Sequence, residues 1–158
     1  MPELRRILEV LASHEVDFIV VGGLAAVLQG APTTTYDVDI VYSLAKPNQE
    51  KLLRALEELD AIFRGDPRRL RPNLSHLDSK GHKLLTTRLG DLDCLGTIET
   101  DTTYEDLLEH VDWIEIDSRA TRVLTLERLI EVKRKLKRPK DQLMLLQLEA
   151  TLDERGKS

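Results

Sequence analysis

The sequence predicts an α/β fold in which a mixed sheet is backed by helices and followed by a C-terminal pair of helices. Up to residue 124, short β-branched or alternating apolar runs are interleaved with leucines at helical spacing. After Thr125 only helical spacing remains, and it is interrupted once, at Arg138-Pro139. At 158 residues the chain has the size of one domain. We expect its sheet core in residues 1–124 and its C-terminal helices in residues 125–153.

Hydrophobic periodicity gives each element its approximate bounds, and Pro47 suits the first turn of the helix that it opens. Helices are predicted over residues 3–14, 24–29, 47–59, 104–110 and 126–137, with a last one starting in 138–141. Strands are predicted over residues 18–21, 37–41, 62–63, 83–87, 91–95, 113–116 and 123–124. We expect Trp113 to be partly buried and the polar residues from Asp153 onward to fray. Four leucines of the last helix are expected to be mostly buried: Leu143, Leu145, Leu146 and Leu148.

Composition restricts the classes of function. Charged residues make up 32% of the chain and the formal net charge is −5, whereas a general nucleic-acid binder is normally basic, so any RNA contact should be local. The single cysteine, Cys94, excludes an internal disulfide framework and a cysteine-based zinc site. No signal peptide and no apolar run long enough to span a membrane is found, so we expect a cytoplasmic protein without membrane partners.

The stretch 18–41 combines two features that point to a ligand site. Its buried strand ends at Gly22-Gly23, and a short helix follows without a spacer. A glycine pair lets the backbone approach a ligand closely, and free N–H groups at a helix start favour an anion such as phosphate. Asp37 and Asp39 then alternate with apolar residues, so both carboxylates lie on one strand face with their backbones about 6–7 Å apart. Carboxylate oxygens that converge in this way suit Mg²⁺.

Gly22-Gly23, the short helix and Asp37-x-Asp39 together resemble the signature of the polymerase-beta-type nucleotidyltransferase superfamily. The chain is most similar to its small prokaryotic members, the minimal nucleotidyltransferases and the toxin-type enzymes of abortive-infection systems. The resemblance implies the minimal nucleotidyltransferase fold. Two positions differ from the commonest pattern, because Gly23 replaces a serine and Tyr36 stands where Ser or Thr often precedes the first acid. Neither difference removes a metal ligand, but both leave the nucleotide preference open.

Asp91 and Asp93 form a second alternating acid pair, on a strand that is expected to return beside the first pair. The resemblance implies a third carboxylate on a neighbouring strand, and Asp93 matches that position. Asp91 lies nearer the turn and is expected to be solvated. The resemblance therefore implies that Asp37, Asp39 and Asp93 are the catalytic residues and hold Mg²⁺ or Mn²⁺, with Asp93 accepting the proton of the acceptor hydroxyl.

Lys133 lies near the centre of the apolar stripe of its predicted helix. The stripe consists of Leu126, Leu129, Ile130 and Leu136. A lysine on a buried face must reach water or meet an anion, so we expect Lys133 to contact nucleotide phosphates. The small members of the superfamily tend to have a lysine here, and Lys140-Asp141 also resembles those enzymes. Lys140 is expected to bind nucleotide, while Asp141 either orients Lys133 or is an acid favoured at a helix start.

The resemblance implies an enzyme that transfers a nucleoside monophosphate from an NTP to an acceptor hydroxyl and releases pyrophosphate. Gly22 and Gly23 would present backbone N–H groups to the phosphates. The acceptor stays open between an RNA or tRNA end, a side chain of a partner protein and a small molecule. A toxin–antitoxin system with a cognate protein partner is a further expectation from the resemblance. The base preference and the oligomeric state stay open.

Two other functions are weighed against this one. A catalytically inactive nucleotide-binding regulator or antitoxin subunit is disfavoured because all three acids are present. A dinucleotide-binding module needs G-x-G-x-x-G and a crossover helix, whereas Gly22 to Gly30 leaves room for barely two turns. The four arginines within residues 64–71 either bind phosphates or belong to a solvated loop.

Overall fold

The computed structural model describes residues 2–157 and has a seven-stranded mixed sheet at its centre. The strands are Phe18–Val21 (β1), Asp37–Tyr42 (β2), Ile62–Phe63 (β3), His82–Thr87 (β4), Gly90–Leu95 (β5), Thr97–Ile98 (β6), Thr102–Thr103 (β7), Val111–Ile116 (β8) and Arg119–Leu124 (β9). The order in the sheet is β3-β4-β5-β2-β1-β9-β8, and β6 and β7 form a separate pair. β2 is parallel to β5 and β1 is parallel to β9, while the other neighbours are antiparallel. The predicted mixed sheet is confirmed.

Helices cover the sheet and follow it at the C-terminus. They are Leu4–Ser13 (α1), Gly22–Leu28 (α2), Lys46–Glu58 (α3), Leu74–Leu77 (α4), Tyr104–Leu107 (α5, continued by a 3-10 turn over Leu108–His110), Leu126–Arg134 (α6) and Pro139–Gly156 (α7). The Thr125 hydroxyl caps α6 by accepting from the Arg128 N–H, as its residue type favours. α6 and α7 pack against each other, which confirms the predicted helical pair. Among residues 2–157, no helix is both long and apolar enough to cross a membrane.

Alternation along β2 places the core and the acids on opposite faces of the sheet. Val38 and Ile40 are fully buried, whereas Asp37 and Asp39 are half-buried. α1 contacts β2 and β5 and packs against α3, which adds Leu52 to the core. α2 contacts both β2 and α6. The acidic face of β2 therefore lies beside α2 and α6.

Trp113 does not pack in the core, so that prediction is wrong. Its side chain is 60% exposed. The guanidinium carbon of Arg122 lies over the Trp113 ring, 4.6 Å from the ring centroid. β8 is one of the two edge strands of the sheet. The alternation of apolar and polar residues along β8 does not tell whether another element covers the face that carries Trp113. An apolar residue on an uncovered edge strand stays exposed.

The last helix buries a narrower stripe than predicted. Leu148 is buried, and the partly buried residues packed with it are Met144, Leu145 and Leu152, at helical spacing on one side. Leu143 and Leu146 fall on the other side and are 61% and 67% exposed, so their predicted burial is wrong. α7 also continues to Gly156, where fraying from Asp153 was expected, while Ser158 lies outside the described residues.

Candidate active site

Strand register brings three aspartates to one point. β2 and β5 are parallel and in direct register, with Asp37 opposite Asp91 and Asp39 opposite Asp93. One carboxylate oxygen from each of Asp37, Asp39 and Asp93 can be chosen so that all three lie within 4.8 Å of one another. Asp91 stays outside this group and is more exposed than Asp93, as predicted.

Gly22 makes room for the Asp39 carboxylate. The glycine begins α2 with φ +67°, a conformation in which a side chain is strained. A Cβ at this position would lie 2.2 Å from Asp39 Oδ2. At Gly23, a Cβ would lie 2.9 Å from Thr35 Oγ1. Gly22 is therefore needed for the backbone to pass close to Asp39, while a side chain at Gly23 would crowd the Thr35 hydroxyl, which donates to Asp37 Oδ1 at 3.3 Å.

Three carboxylates this close cannot all stay ionised unless a cation is near. Burial raises the pKa of Asp39 to about 8, and the charge of Asp37 and a hydrogen bond with Asp93 add to the increase. Burial also raises the pKa of Asp37, and the charge of Asp93 is the second cause. Carboxylate oxygens are the donors that Mg²⁺ and Mn²⁺ prefer. The three acids therefore fit a divalent metal ion, whose charge would offset their repulsion.

Arg64 supplies a positive charge at the outer side of the acids. Its Nη2 donates to Asp93 Oδ1 at 2.5 Å and to the Leu85 carbonyl at 2.8 Å, and its Nε lies 3.3 Å from Asp91 Oδ2. Arg64 directly follows β3, whose pairing with β4 brings it beside β5. The sequence carries no signal for this contact, because it depends on strand pairing between distant residues.

The rest of the arginine-rich loop is solvated. Arg68 binds Asp66 at 3.1 Å and Arg71 lies 3.5 Å from Asp60, and both arginines are exposed. Arg68 and Arg71 are thus exposed and paired with acids, and phosphate binding by this loop stays a prediction.

Asp141 holds Lys133 in place. Lys133 Nζ donates to Asp141 Oδ1 at 3.0 Å, and Arg138 Nε donates to Asp141 Oδ2 at 2.6 Å. The Asp141 side chain is 1% exposed, and the hydrogen bond from Arg138, followed by that from Lys133, lowers its pKa. Lys133 also lowers the pKa of Asp39 through its charge, so it lies within electrostatic reach of the acids. Lys140 is exposed in the first turn of α7, and nucleotide binding by Lys133 and Lys140 stays a prediction.

Glu99 is a carboxylate with three hydrogen-bond partners, and sequence analysis did not single it out. Its carboxylate accepts hydrogen bonds from Arg128 and Lys135 and from Thr102 Oγ1 at 3.0 Å. The hydrogen bond from Arg128 is the main reason that the pKa of Glu99 falls to about 2. A single acid in a turn gives no sequence signal, because its two basic partners, Arg128 on α6 and Lys135 just after it, are distant in sequence.

A cleft of about 570 Å³ adjoins Asp39 and Asp93. Its walls come from β4 and β5, from the turn between β6 and β7, and from the end of α6 with the residues that lead to α7. Glu99 and Lys135 both line it, so their ion pair fixes one wall. The cleft is the space next to the acids that a small molecule can enter.

The family model of aminoglycoside-2''-adenylyltransferases matches residues 3–132, well over half of the chain. The chain belongs to that family. The adenylyltransferase family assignment confirms the resemblance to the polymerase-beta-type nucleotidyltransferases and makes the chain a nucleotidyltransferase. Its matched segment includes the glycine pair, the three aspartates and most of α6.

Solved structures share the fold of this adenylyltransferase family member at low sequence identity. A protein from Thermotoga maritima assigned as a nucleotidyltransferase is 21% identical, with a TM-score of 0.57 over 95% of this chain and 90% of its own. The lincosamide antibiotic adenylyltransferase LnuA, bound to lincomycin, is 13% identical, with a TM-score of 0.64 over 92% and 94%. ANT(2'')-Ia in complex with adenylyl-2''-tobramycin is 16% identical, with a TM-score of 0.58 over 92% and 84%. A search of curated proteins finds no match.

Comparing alanine substitutions at Gly22 and Gly30 separates the effect of backbone strain from the effect of crowding the Asp39 carboxylate. Gly22→Ala and Gly30→Ala both place a side chain at positive φ, so each should lower the free energy of unfolding by about 1–2 kcal/mol. Only Gly22→Ala also pushes Asp39 aside, because Gly30 faces open space. Calorimetric titration with Mn²⁺ should show weakened binding in Gly22→Ala and unchanged binding in Gly30→Ala. Equal Mn²⁺ affinity in the two variants would contradict this account.

Removing the Lys133 charge should destabilise the protein. Lys133→Met leaves the buried Asp141 with Arg138 alone and should lower the free energy of unfolding by about 1–3 kcal/mol. Lys140→Met is the matched control, since Lys140 is exposed and has no ion pair within residues 2–157, and should change stability by less than about 0.5 kcal/mol. Urea unfolding measures both. The account fails if the two variants are equally stable.

Glu99 should make stability depend on pH in the acid range. Its folded pKa of about 2 lies below the ordinary value of about 4.3, so its contribution is complete above the ordinary value and is lost as the pH falls toward 2. Glu99→Gln should therefore be less stable than wild type at pH 6, and the difference should shrink at pH 3. Glu131→Gln, which removes the more exposed acid beside Arg128, should have little effect. A Glu99→Gln difference that is constant from pH 6 to pH 3 would be inconsistent with this assignment.

Proposed function

We propose that this chain catalyses divalent-metal-dependent transfer of a nucleoside monophosphate from an NTP to an acceptor hydroxyl, with release of pyrophosphate. ATP is the first candidate donor, because the family is one of adenylyltransferases. The observation that supports the proposal most strongly is the convergence of Asp37, Asp39 and Asp93, with their oxygens within 4.8 Å, beside a backbone turn that only glycine permits.

The roles of the acids follow from their chemistry. Asp37, Asp39 and Asp93 would hold Mg²⁺ or Mn²⁺, which when bound supplies charge stabilisation for an in-line displacement at phosphorus. Asp93 would accept the proton of the acceptor hydroxyl, and Arg64 holds its carboxylate in one orientation. The acceptor oxygen then bonds to the α-phosphorus, and the bond from that phosphorus to the bridging oxygen breaks. The leaving group is pyrophosphate.

The phosphates would lie on the glycine side of the acids. The backbone at Gly22 and Gly23 passes close to Asp39, so its N–H groups would approach the triphosphate. Lys133, held by Asp141, would provide a counter-charge near the same place, and Lys140 a second one at the start of α7. These roles are part of the proposal.

Antibiotic-like small molecules are the first candidate acceptors. The family is named for an aminoglycoside, and LnuA was solved with lincomycin. A tRNA end, a side chain of a partner protein and a toxin–antitoxin setting find no support in these matches and stay predictions from the resemblance. An inactive regulator remains the alternative, and the presence of all three acids counts against it.

Pyrophosphate release from MgATP tests the proposal, with tobramycin, lincomycin or water offered as the acceptor. Wild type should release pyrophosphate only with Mg²⁺ or Mn²⁺ present. Asp37→Asn with Asp39→Asn should abolish release, and Asp93→Asn should slow it by at least about a hundredfold, which is what loss of a general base costs.

Melting temperature provides the control for folding. The double variant should melt at the wild-type temperature or higher in the absence of metal, because substitution removes mutual repulsion. Asp93→Asn also loses its ion pair with Arg64, so for that variant the control is a cooperative melting transition above the assay temperature. Release at the wild-type rate by the double variant would refute the assignment. Binding of MgATP without any release by wild type would favour the inactive regulator.

A further inference from the structure

The cleft beside the acids has an apolar lining. Five aliphatic side chains line it: Leu84, Leu95, Ile98, Val132 and Leu136. Leu84 lies directly opposite Asp93 across the β4–β5 pair and is 46% exposed. Five aliphatic side chains gathered along one cleft favour an apolar part of a ligand.

Among residues 2–157, the lining of the cleft offers no free negative charge apart from the proposed metal ligands. Glu99 is the remaining acid in its lining, and its oxygens are taken by Arg128, Lys135 and Thr102. The basic groups of the lining are Lys135 and Arg138, which are bound to acids, and His82, which is exposed and adds no negative charge. A ligand that carries several ammonium groups would therefore meet no carboxylate that could pair with them, and burying such charges unpaired is unfavourable.

The position of the cleft assigns it to the acceptor rather than to the triphosphate. Asp93, the proton acceptor in the proposed function, lies at its edge, while Gly22, Gly23 and Lys133 are not part of its lining. A volume of about 570 Å³ suits a small molecule. Within the described range 2–157, no Phe, Tyr or Trp lines the cleft, so these residues offer none of the aromatic platforms on which a single-stranded RNA end usually stacks.

We propose that the acceptor of this enzyme is a small, uncharged hydroxyl compound with an apolar part, and not a polyamine such as an aminoglycoside. The inference rests on the proposed nucleotidyl transfer, whose acceptor hydroxyl must reach Asp93. The apolar part contacts the aliphatic walls, and the hydroxyl points to the acids. Selectivity against polyamines arises because the walls contain no unpaired carboxylate.

Pyrophosphate release with two panels of acceptors tests this assignment. One panel contains uncharged hydroxyl compounds with an apolar group, among them octyl β-D-glucoside and salicin. The other contains polyamino sugars, among them neamine and tobramycin. We expect release with members of the first panel, with kcat/KM at least about tenfold above that of every polyamino sugar, a ratio that corresponds to about 1.4 kcal/mol. A higher kcat/KM with a polyamino sugar, or release with no member of the first panel, overturns the inference.

Two substitutions at Leu84 separate the effect of an added charge on acceptor selectivity from the effect of a changed side-chain size. Leu84→Glu adds a carboxylate beside the cleft, while Leu84→Gln has the same size without charge. Leu84→Glu should lower kcat/KM for the uncharged acceptors more than Leu84→Gln does and should raise it for neamine. Leu143→Glu, on the exposed side of α7, should leave both panels unchanged. Equal effects of the two Leu84 variants on both panels would contradict the charge argument.

Slow release of AMP from MgATP with water as acceptor distinguishes failure of the acceptor assignment from failure of the proposed nucleotidyl transfer. If MgATP binds and yields AMP and pyrophosphate but the uncharged panel gives no faster release, the acceptor assignment fails and the proposed function stands. If MgATP gives neither product with any acceptor, the proposed function itself fails.

Discussion

Asp39 and Asp93 face each other across two parallel strands, so the backbone hydrogen bonds that hold the sheet also hold two carboxylates together. Asp37 joins them because side chains two residues apart on a strand share a face. Burial is the first cause of the raised pKa values of Asp37 and Asp39, the charge of a neighbouring acid is the second, and the strands cannot separate to relieve this repulsion. A bound divalent cation would offset this repulsion, and the oxygen donors of the three acids suit such an ion.

Three of the surrounding positive groups are fixed by acids outside the three-aspartate cluster, whereas Arg64 is held by Asp93 of the cluster and by Asp91. Asp141 anchors Lys133, and Glu99 anchors Arg128 and Lys135. The side chain of Asp141 is 1% exposed and that of Glu99 is 10% exposed, so both offer charge-assisted hydrogen bonds that are largely shielded from water. These contacts join the end of α6 to the start of α7 and to the turn between β6 and β7. The C-terminal helices thus complete the cleft instead of only covering the sheet.

Local periodicity was enough to predict most strands and the acid pair on β2, and the resemblance to the superfamily added Asp93 on a neighbouring strand, where β5 does lie beside β2. Arg64 and Glu99 were not predictable in the same way, because each meets its partners through pairing of segments far apart in sequence. Trp113, Leu143 and Leu146 show a second limit. Apolar spacing tells which side chains share a face, but it does not tell whether another element covers that face.

The central claim is that Asp37, Asp39 and Asp93 together hold a divalent metal ion. Anomalous diffraction from crystals grown with Mn²⁺ and a non-hydrolysable ATP analogue tests it most directly, because the anomalous signal locates the metal independently of activity. The account predicts an anomalous peak at about 2–2.3 Å from a carboxylate oxygen of each of the three aspartates. A peak that none of them ligates, or ordered analogue without a peak between β2 and β5, would contradict the claim.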